Sequence, residues 1–506
     1  MDLVNGGRVN HCHSQTDSDA SAIRTAMIKK RETLKVIERE IAQLVEKKSE
    51  IEKDVVRLGI ALTPAYNRNL LPNEILGLVF ILVVQDHGLP VVFPMSKKLV
   101  VPPQLPISHV CSHWRRVALC TPELWSNTRL TYLSEKPNLS HVIWLHQRWL
   151  ARAGTFPVSL SIYFDESMEG DGVANTLQMI LLPFRVKKLQ LVLTSQMFMD
   201  LARFPFSKSA LSDFTEVSLD LTVLSNGTVN SEDINDSHFI TRLRSITFLS
   251  GDGNPLDGWL RRNVQSLPWS QLRSMDVEDV FLEDPEVLVN ILRQIPTLQV
   301  LKLEMIPFHV DSLKALTMPS LLEFGLKLYV DEEIDPGEVK FDKILRSFTC
   351  PSLTNFDLRG SPYWTTETVE ILKRQYNLQG LQKVEFHHGV ALPVSHLLRS
   401  APMLRSFSIG RHAILDDDTV IGISNGTLAR FLRKLEIRCA CDVGEVLGMV
   451  EARKKTVDAL IDNGCSWREG ITVVRDVVAL GKCKDEYSER VKALKEAGIS
   501  IAFTPY

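Results

Sequence analysis

Residues 298–303 read LQVLKL, and the spacing of the apolar residues in this stretch decides the fold because it recurs along most of the chain. Apolar residues two positions apart lie on one face of a β-strand, so each copy predicts a short strand with one buried face. Successive copies begin 23 to 32 residues apart. The others are LRSITF at 243, LRSMDV at 272, LLEFGL at 321, LTNFDL at 353, LQKVEF at 381, LRSFSI at 404 and LRKLEI at 432, with weaker copies VKKLQL at 186 and FTEVSL at 214.

Helical segments and prolines separate the copies. EVLVNILRQ at 286–294 has apolar residues at helical spacing. The prolines of IPTL, MPSL, CPSL and APML end the preceding helix before the next copy. A unit of strand, loop, helix and proline stop can bury its apolar face only by stacking on its neighbours. The period resembles that of leucine-rich repeats, about 20 to 29 residues, but the asparagine that usually follows their strand is missing. We therefore expect an α/β fold, an irregular leucine-rich-repeat-like solenoid with a parallel concave sheet; the alternative is an ordinary α/β domain with coincidental spacing.

Side chains that alternate with the buried positions should point out of the sheet. Their charges are of both signs, which favours a patterned protein-binding surface over a phosphate-binding stripe. The alternative for any one of them is a solvated residue without a role. We expect the target-binding face to contain Asp276, Glu278, Lys302, Glu304, Lys327, Asp357, Arg359, Glu385, His387, Glu436 and Arg438.

A heptad pattern occupies residues 21–63. The positions of this pattern lie alternately three and four residues apart, and all but Lys48 are apolar. They are Leu34, Ile37, Ile41, Leu44, Lys48, Ile51, Val55 and Leu58, and Met27 and Ile23 extend the pattern backwards. This period predicts a coiled coil between two chains or, equally, a long amphipathic helix folded onto its own chain. Pro64 should end the helix. Residues 1–20 are polar and without period, which predicts a disordered tail.

The most apolar segment is LPNEILGLVFILVVQ at 71–85. It is too short to span a bilayer, which takes about 20 apolar residues. Pro72 and Glu74 suit the first turn of a helix, so a helix is predicted here. The five prolines of residues 85–106 predict a loop, and helical spacing resumes in ISHVCSHWRRVALCTPELWSNTRL from 107.

In their order and spacing these two segments resemble an F-box, with Leu-Pro-x-Glu-Ile-Leu, an apolar helix, Val-Cys-x-x-Trp and a final Leu-Trp. The layout resembles F-box-like proteins of mushroom-forming fungi. The resemblance implies a small helical domain at 66–133 that binds the Skp-type adaptor subunit of a cullin-RING ubiquitin ligase, while the repeats hold a protein target. It places on the adaptor-facing surface and its supporting core Leu71, Pro72, Ile75, Leu76, Phe80, Val110, Trp114 and Trp125.

Three further segments complete the predicted organisation. Residues 134–180 should hold a linker with the first strand and helix of the solenoid, 181–445 the repeats, and 446–506 a C-terminal cap of helices and a last strand. The function expected from the resemblance is that of a ligase substrate receptor. The alternative is a scaffold of coiled coil and repeats without ligase association.

Composition limits the other functions. A net charge of −3 provides no general attraction to nucleic acid or to an anionic membrane. The N-terminus carries no apolar signal segment, and the eight cysteines lack a CxxC pair, so we expect an intracellular protein, cytoplasmic or nuclear. GISNG at 422–426 matches the nucleophile-elbow pattern, but its position inside a repeat makes Ser424 a turn residue. No enzyme activity, cofactor or metal site is predicted.

Overall fold

The described part of the chain falls into two compact units, Met1–Val79 and Phe80–Tyr506. The structure is a computed structural model, and it describes residues 13–62, 71–86, 91–93, 101–133, 139–166, 168, 170–203, 216–223, 242–250, 260–261, 267, 269–279, 285–305, 314–328, 341–360, 366–387, 394–410, 415–438, 443–462, 471–480 and 485–504.

A parallel sheet of 15 strands dominates the second unit, and its strands follow one another in chain order. Strands β9 and β11 form a separate parallel pair. The strands are β1 Val91–Phe93, β2 Asn127–Leu133, β3 Val158–Phe164, β4 Val186–Thr194, β5 Glu216–Val223, β6 Leu243–Ser250, β7 Ser274–Asp279, β8 Val300–Met305, β9 Leu316–Thr317, β10 Glu323–Leu328, β11 Phe348–Thr349, β12 Asn355–Arg359, β13 Lys383–Phe386, β14 Ser406–Ile409, β15 Lys434–Ile437, β16 Asp476–Leu480 and β17 Ser500–Thr504.

Each strand predicted from the repeated apolar spacing is present. The register explains why, because it places the apolar residues of neighbouring strands side by side: Leu301 pairs with Phe324, Phe324 with Phe356, and Phe356 with Val384. These four side chains are at most 3% exposed. The expected α/β fold with a parallel sheet is therefore confirmed.

Helices occupy most of the intervals between the strands. Leu288, Ile291 and Leu292, the predicted inner face of the helix before β8, are buried. Among the described residues the helices are α1 His13–Leu62, α2 Asn73–Asp86, α3 Gln104–His109, α4 Ser112–Leu119, α5 Leu139–Leu150, α6 Gly170–Leu181, α7 Ser195–Arg203, α8 Pro285–Leu292, α9 Phe341–Ser347, α10 Thr366–Gln375, α11 Val394–Ser400, α12 Asp417–Ser424, α13 Val443–Asp462 and α14 Ser488–Glu496. None of these described helices combines the length and the apolar composition needed to cross a membrane.

Helix α1 begins earlier than the sequence indicates. It starts at His13, so the prediction of a disordered tail is wrong for residues 13–20, while residues 1–12 lie outside the described part. Once a helix is nucleated, each further residue adds one hydrogen bond. The amphipathic segment can therefore extend the helix into a polar stretch that lacks its own apolar period.

The F-box-like segment is not a separate helical domain. Strand β1 lies in the predicted loop 85–106 and pairs with β2, and β2 pairs in turn with β3 across the predicted boundary at residue 133. The ring of Trp125 packs edge-on against Trp149 with centroids 4.9 Å apart. Residues 91–133 therefore share a sheet and a core with the repeats, which corrects both the loop and the boundary.

The second predicted helix is also interrupted. Helix α3 ends at His109, and Cys111 adopts an extended conformation (φ −159°, ψ 171°) that restarts the chain as α4. The Cys111 Sγ accepts the backbone N–H of Trp114 at 3.5 Å and so caps the new helix. Val110 therefore lies outside the helix that carries Trp114, so the single helix predicted from residue 107 is wrong.

The C-terminal region extends the sheet by two strands, β16 and β17, of which only one was predicted. A buried arginine holds it in place. Arg453 on α13 donates four hydrogen bonds of 2.8 Å to the backbone carbonyls of Ile423, Ala429, Arg430 and Thr472. Burial lowers the pKa of Arg453 to about 10, so the guanidinium remains charged at neutral pH.

We expect Arg453→Met to lower the free energy of unfolding by about 3 kcal/mol or more, because four backbone carbonyls, two of them in fully buried hydrogen bonds, lose their charged donor. Lys455→Met is the matched control, since Lys455 is exposed on the same helix and the same charge is removed. It should change stability by less than about 0.5 kcal/mol. Urea unfolding of both variants provides the measurement, and equal losses would contradict the role given to Arg453.

A buried histidine links α5 to β2. His146 is 0% exposed, and its Nε2 lies 2.8 Å from the Thr128 hydroxyl. Burial lowers the pKa of His146 from 6.5 to about 4. Between these pH values the unfolded chain binds a proton that the folded chain does not, so stability falls as the pH falls.

Acidification from pH 7 to 4.5 should therefore remove about 2 to 3 kcal/mol of stability through His146. His146→Gln retains a partner for Thr128 but does not titrate, so its unfolding free energy should depend less on pH by that amount. His141→Gln changes an exposed histidine of the same helix and should behave as wild type. Urea unfolding at the two pH values tests this, and parallel pH dependences of wild type and His146→Gln would refute it.

Candidate functional site

The outward side chains of β7 to β15 form a continuous polar face. The register aligns Asp276 with Lys302 and Asp357 with Glu385, with Gly325 between these pairs. Further along, Ser408 continues this row to Glu436. A second row contains Glu304, Lys327 and Arg359. We refer to these outward side chains together as the polar face.

Ion pairs tie the polar face together across and along the strands. Lys302 lies 3.3 Å from Asp276, Lys327 lies 2.9 Å from Glu304, and the Arg359 Nη2 donates to the Asp357 Oδ2 at 2.9 Å. Lys383 pairs with Glu385 at 3.1 Å. Glu436 accepts from Arg438 Nε at 2.6 Å and lies 3.6 Å from Lys434. The polar face is therefore nearly neutral in total but strongly patterned.

The two signs of charge differ in depth. The side chains of Lys383 and Glu385 are 44% and 18% exposed, and those of Arg359 and Asp357 are 37% and 16% exposed. The other ion pairs of the polar face show the same order. Long cationic side chains reach over the shorter carboxylates, so an approaching partner meets the cations first.

A shallow hollow lies within the polar face, between Lys302 and Glu385. Its volume is about 150 Å³. The hollow could receive one side chain of a bound protein segment. Its lining residues are Lys302, Glu323, Asn355, Phe356, Asp357, Arg359, Lys383 and Glu385.

Three potential metal ligands converge next to the hollow. One ligand atom each from Asp357, Glu385 and His387 lie within 4.8 Å of one another, and His387 Nε2 is 3.2 Å from Asp357 Oδ1. Burial alone would raise the pKa of Asp357, but the contacts with His387 and Arg359 outweigh it and hold that pKa below its ordinary value. Imidazole and carboxylate suit first-row divalent cations. Both carboxylates also pair with cations, Asp357 with Arg359 and Glu385 with Lys383.

Nearly all predicted members of the target-binding face lie on the polar face. Glu278 lies on β7, but its side chain falls outside the described part. The prediction missed Glu323, Lys383 and Lys434, although the same two-residue alternation would have found them. The cluster of Asp357, Glu385 and His387 joins two strands, so only the register could reveal it.

The predicted adaptor-facing residues differ in burial: three are buried, one is half-buried and four are exposed. Leu76, Phe80 and Trp125 are buried, at most 5% exposed. Trp114 is half-buried, with its ring 5.0 Å from that of Phe80. The remaining four are exposed: Leu71 at 49%, Ile75 at 44%, Val110 at 60%, and Pro72.

Ser424 is the last residue of α12, and its hydroxyl donates to the carbonyl of Val420 at 2.7 Å. A nucleophile elbow instead places the serine in a turn between a strand and a helix. The GISNG segment therefore lacks the geometry of that motif.

No protein-family model matches the chain, and no curated protein sequence matches it.

We expect Glu436→Gln to destabilise the protein by about 1 to 2 kcal/mol, because its carboxylate is only 8% exposed and holds both Lys434 and Arg438. Glu216→Gln is the control, since Glu216 also pairs with a lysine on a strand of the sheet but is 40% exposed. It should change stability by less than about 0.5 kcal/mol. Urea unfolding measures both, and an effect of Glu216→Gln as large as that of Glu436→Gln would show that depth on the polar face is unimportant.

Proposed function

We propose that the chain is a substrate-receptor subunit of a cullin-RING ubiquitin ligase. In this proposal the start of α2 binds the Skp-type adaptor, and the polar face binds a protein target. The receptor carries out no bond chemistry of its own. It raises the concentration of target lysines near the ubiquitin-loaded partner.

Exposed apolar side chains at the start of α2 are the observation that carries the proposal. Leu71, Ile75, Leu78 and Val79 recur at helical spacing and are 39 to 55% exposed. Such a stripe on a helix is the kind of surface that docks into a groove of a partner. It coincides with the LPNEIL motif, the segment that binds the adaptor in the F-box proteins it resembles.

The sheet supports the second half of the proposal. Strands in chain order, all parallel, with helices in most intervals, are what an irregular leucine-rich-repeat-like solenoid requires. Such solenoids recognise proteins through outward strand residues, and the polar face offers this kind of surface. Its cations stand above its carboxylates, which favours a target segment with acidic side chains.

The adaptor half is tested with Ile75→Asp. A buried charge at a central interface position should weaken adaptor binding at least thirtyfold, equivalent to about 2 kcal/mol. Because Ile75 is 44% exposed, the thermal unfolding of the protein should not change. Calorimetric titration with purified Skp-type adaptor gives the affinity.

Ile461→Asp is the matched control, since Ile461 on α13 is 61% exposed and undergoes the same chemical change. It should bind the adaptor as wild type does. If wild type fails to retain the adaptor at micromolar concentration, or if both variants lose it equally, the receptor proposal is refuted. The alternative function, a scaffold of coiled coil and repeats without ligase association, would then be favoured.

A further inference from the structure

The described apolar side chains on the heptad face of α1 are exposed. We call the a and d positions of this heptad pattern the seam. The apolar side chains of the seam that the structure describes are 46 to 64% exposed. Position a holds Met27, Leu34, Ile41 and Val55, and position d holds Ile23, Ile37, Leu44 and Ile51.

Length and period restrict what can cover the seam. Helix α1 has 50 residues and is about 75 Å long. The longest other helix among the described residues, α13, has 20 residues and spans about 30 Å. A seam that repeats every 3.5 residues over several heptads needs a partner with the same period and comparable length. Among the described helices, α1 of a second copy meets both conditions.

We propose that α1 pairs with α1 of a second copy in a parallel, in-register, two-stranded coiled coil. The charges beside the seam fit this arrangement. In it, position g of one helix faces position e of the next heptad on the partner. The four such pairs within residues 26–52 contain no like charges, and one is attractive: Ala26 with Arg31, Thr33 with Glu38, Glu40 with Val45, and Lys47 with Glu52.

Two lysines in the seam favour two helices over three or four. Lys30 occupies a d position and Lys48 an a position. In a two-stranded coil, a long lysine side chain can lie along the seam and keep its ammonium group in water. Lys48 already extends toward Glu52 of its own helix, 3.7 Å away. A core of three or four helices would enclose these charges, which is costly.

Pairing would give the assembly two copies of the polar face. A target with two recognition segments, or a target that is itself a dimer, would then bind with avidity. This proposal does not depend on ligase association, and its test uses no adaptor.

The first test is the mass of the full chain in solution, measured by light scattering after size-exclusion chromatography at about 10 μM, a concentration at which a micromolar dimer is well populated. Wild type should have twice the mass of the 57.1 kDa chain. Ile37→Asp should convert it to a monomer because it places a charge in the seam. Val36→Asp is the matched control: the adjacent residue is 48% exposed against 46% for Ile37 but lies off the seam, so this variant should remain a dimer.

The second test establishes direction. Met27→Cys places two thiols side by side in a parallel, in-register pair, whereas full antiparallel overlap would separate them by about 30 Å. With Cys12 replaced by Ser in both proteins, mild oxidation should therefore produce a covalent dimer of Met27→Cys but none of the protein that retains Met27. A monomeric wild type, or loss of the dimer in both aspartate variants, overturns the pairing. A dimer without the crosslink overturns the parallel arrangement.

Discussion

The structure depends on the register of backbone hydrogen bonds between parallel neighbouring strands. Because side chains alternate, one register both aligns the buried row from Leu301 through Phe324 to Phe356 and aligns the charges above it. A slip by one residue would expose the apolar row and bury the charges. The core and the polar face are thus two consequences of the same constraint.

That constraint also includes the segment that resembles an F-box. Strand β2 continues the sheet toward β1, and Trp125 on the turn before β2 packs against Trp149 and beneath the guanidinium of Arg152, 4.7 Å from its ring. The Trp125 indole N–H donates to the Ala118 carbonyl at 2.8 Å, which ties α4 to the same core. Helix α4 of the F-box-like segment is in this way supported by the core beneath the sheet.

The sequence was most informative where one side chain pattern determines one structure. Two apolar positions per strand were enough to predict ten strands, since a half-buried strand leaves a clear two-residue period. Strand β1 was missed because three residues between prolines carry no such period, and its existence depends on pairing with β2. Likewise, the restart at Cys111 depends on a local cap that spacing does not show.

For the candidate site, alternation located most of the polar face, but it gave no depth. Sequence alone does not distinguish Glu436, whose side chain is almost buried between two cations, from Glu216, whose side chain is 40% exposed. It also could not divide the F-box-like residues into core and surface, because Ile75 and Leu76 are equally apolar and differ only in the side of α2 that they occupy. Nor could it choose between the two partners for the heptad helix, since both require the same period.

The separation of core and polar face has a consequence for how such a protein can change its partner. A substitution of an exposed side chain on the outward rows exchanges one solvated group for another. Such a change typically alters stability by less than about 0.5 kcal/mol. Substitutions in the buried row leave cavities that remove several times as much. Because strand pairing is supplied by the backbone and the inner row, Lys327, Arg359 and Lys383 are free to vary while the sheet persists. Glu436 departs from this rule because its carboxylate is buried. Substitutions at this end of the polar face should therefore lower the stability of the fold more than substitutions near Gly325.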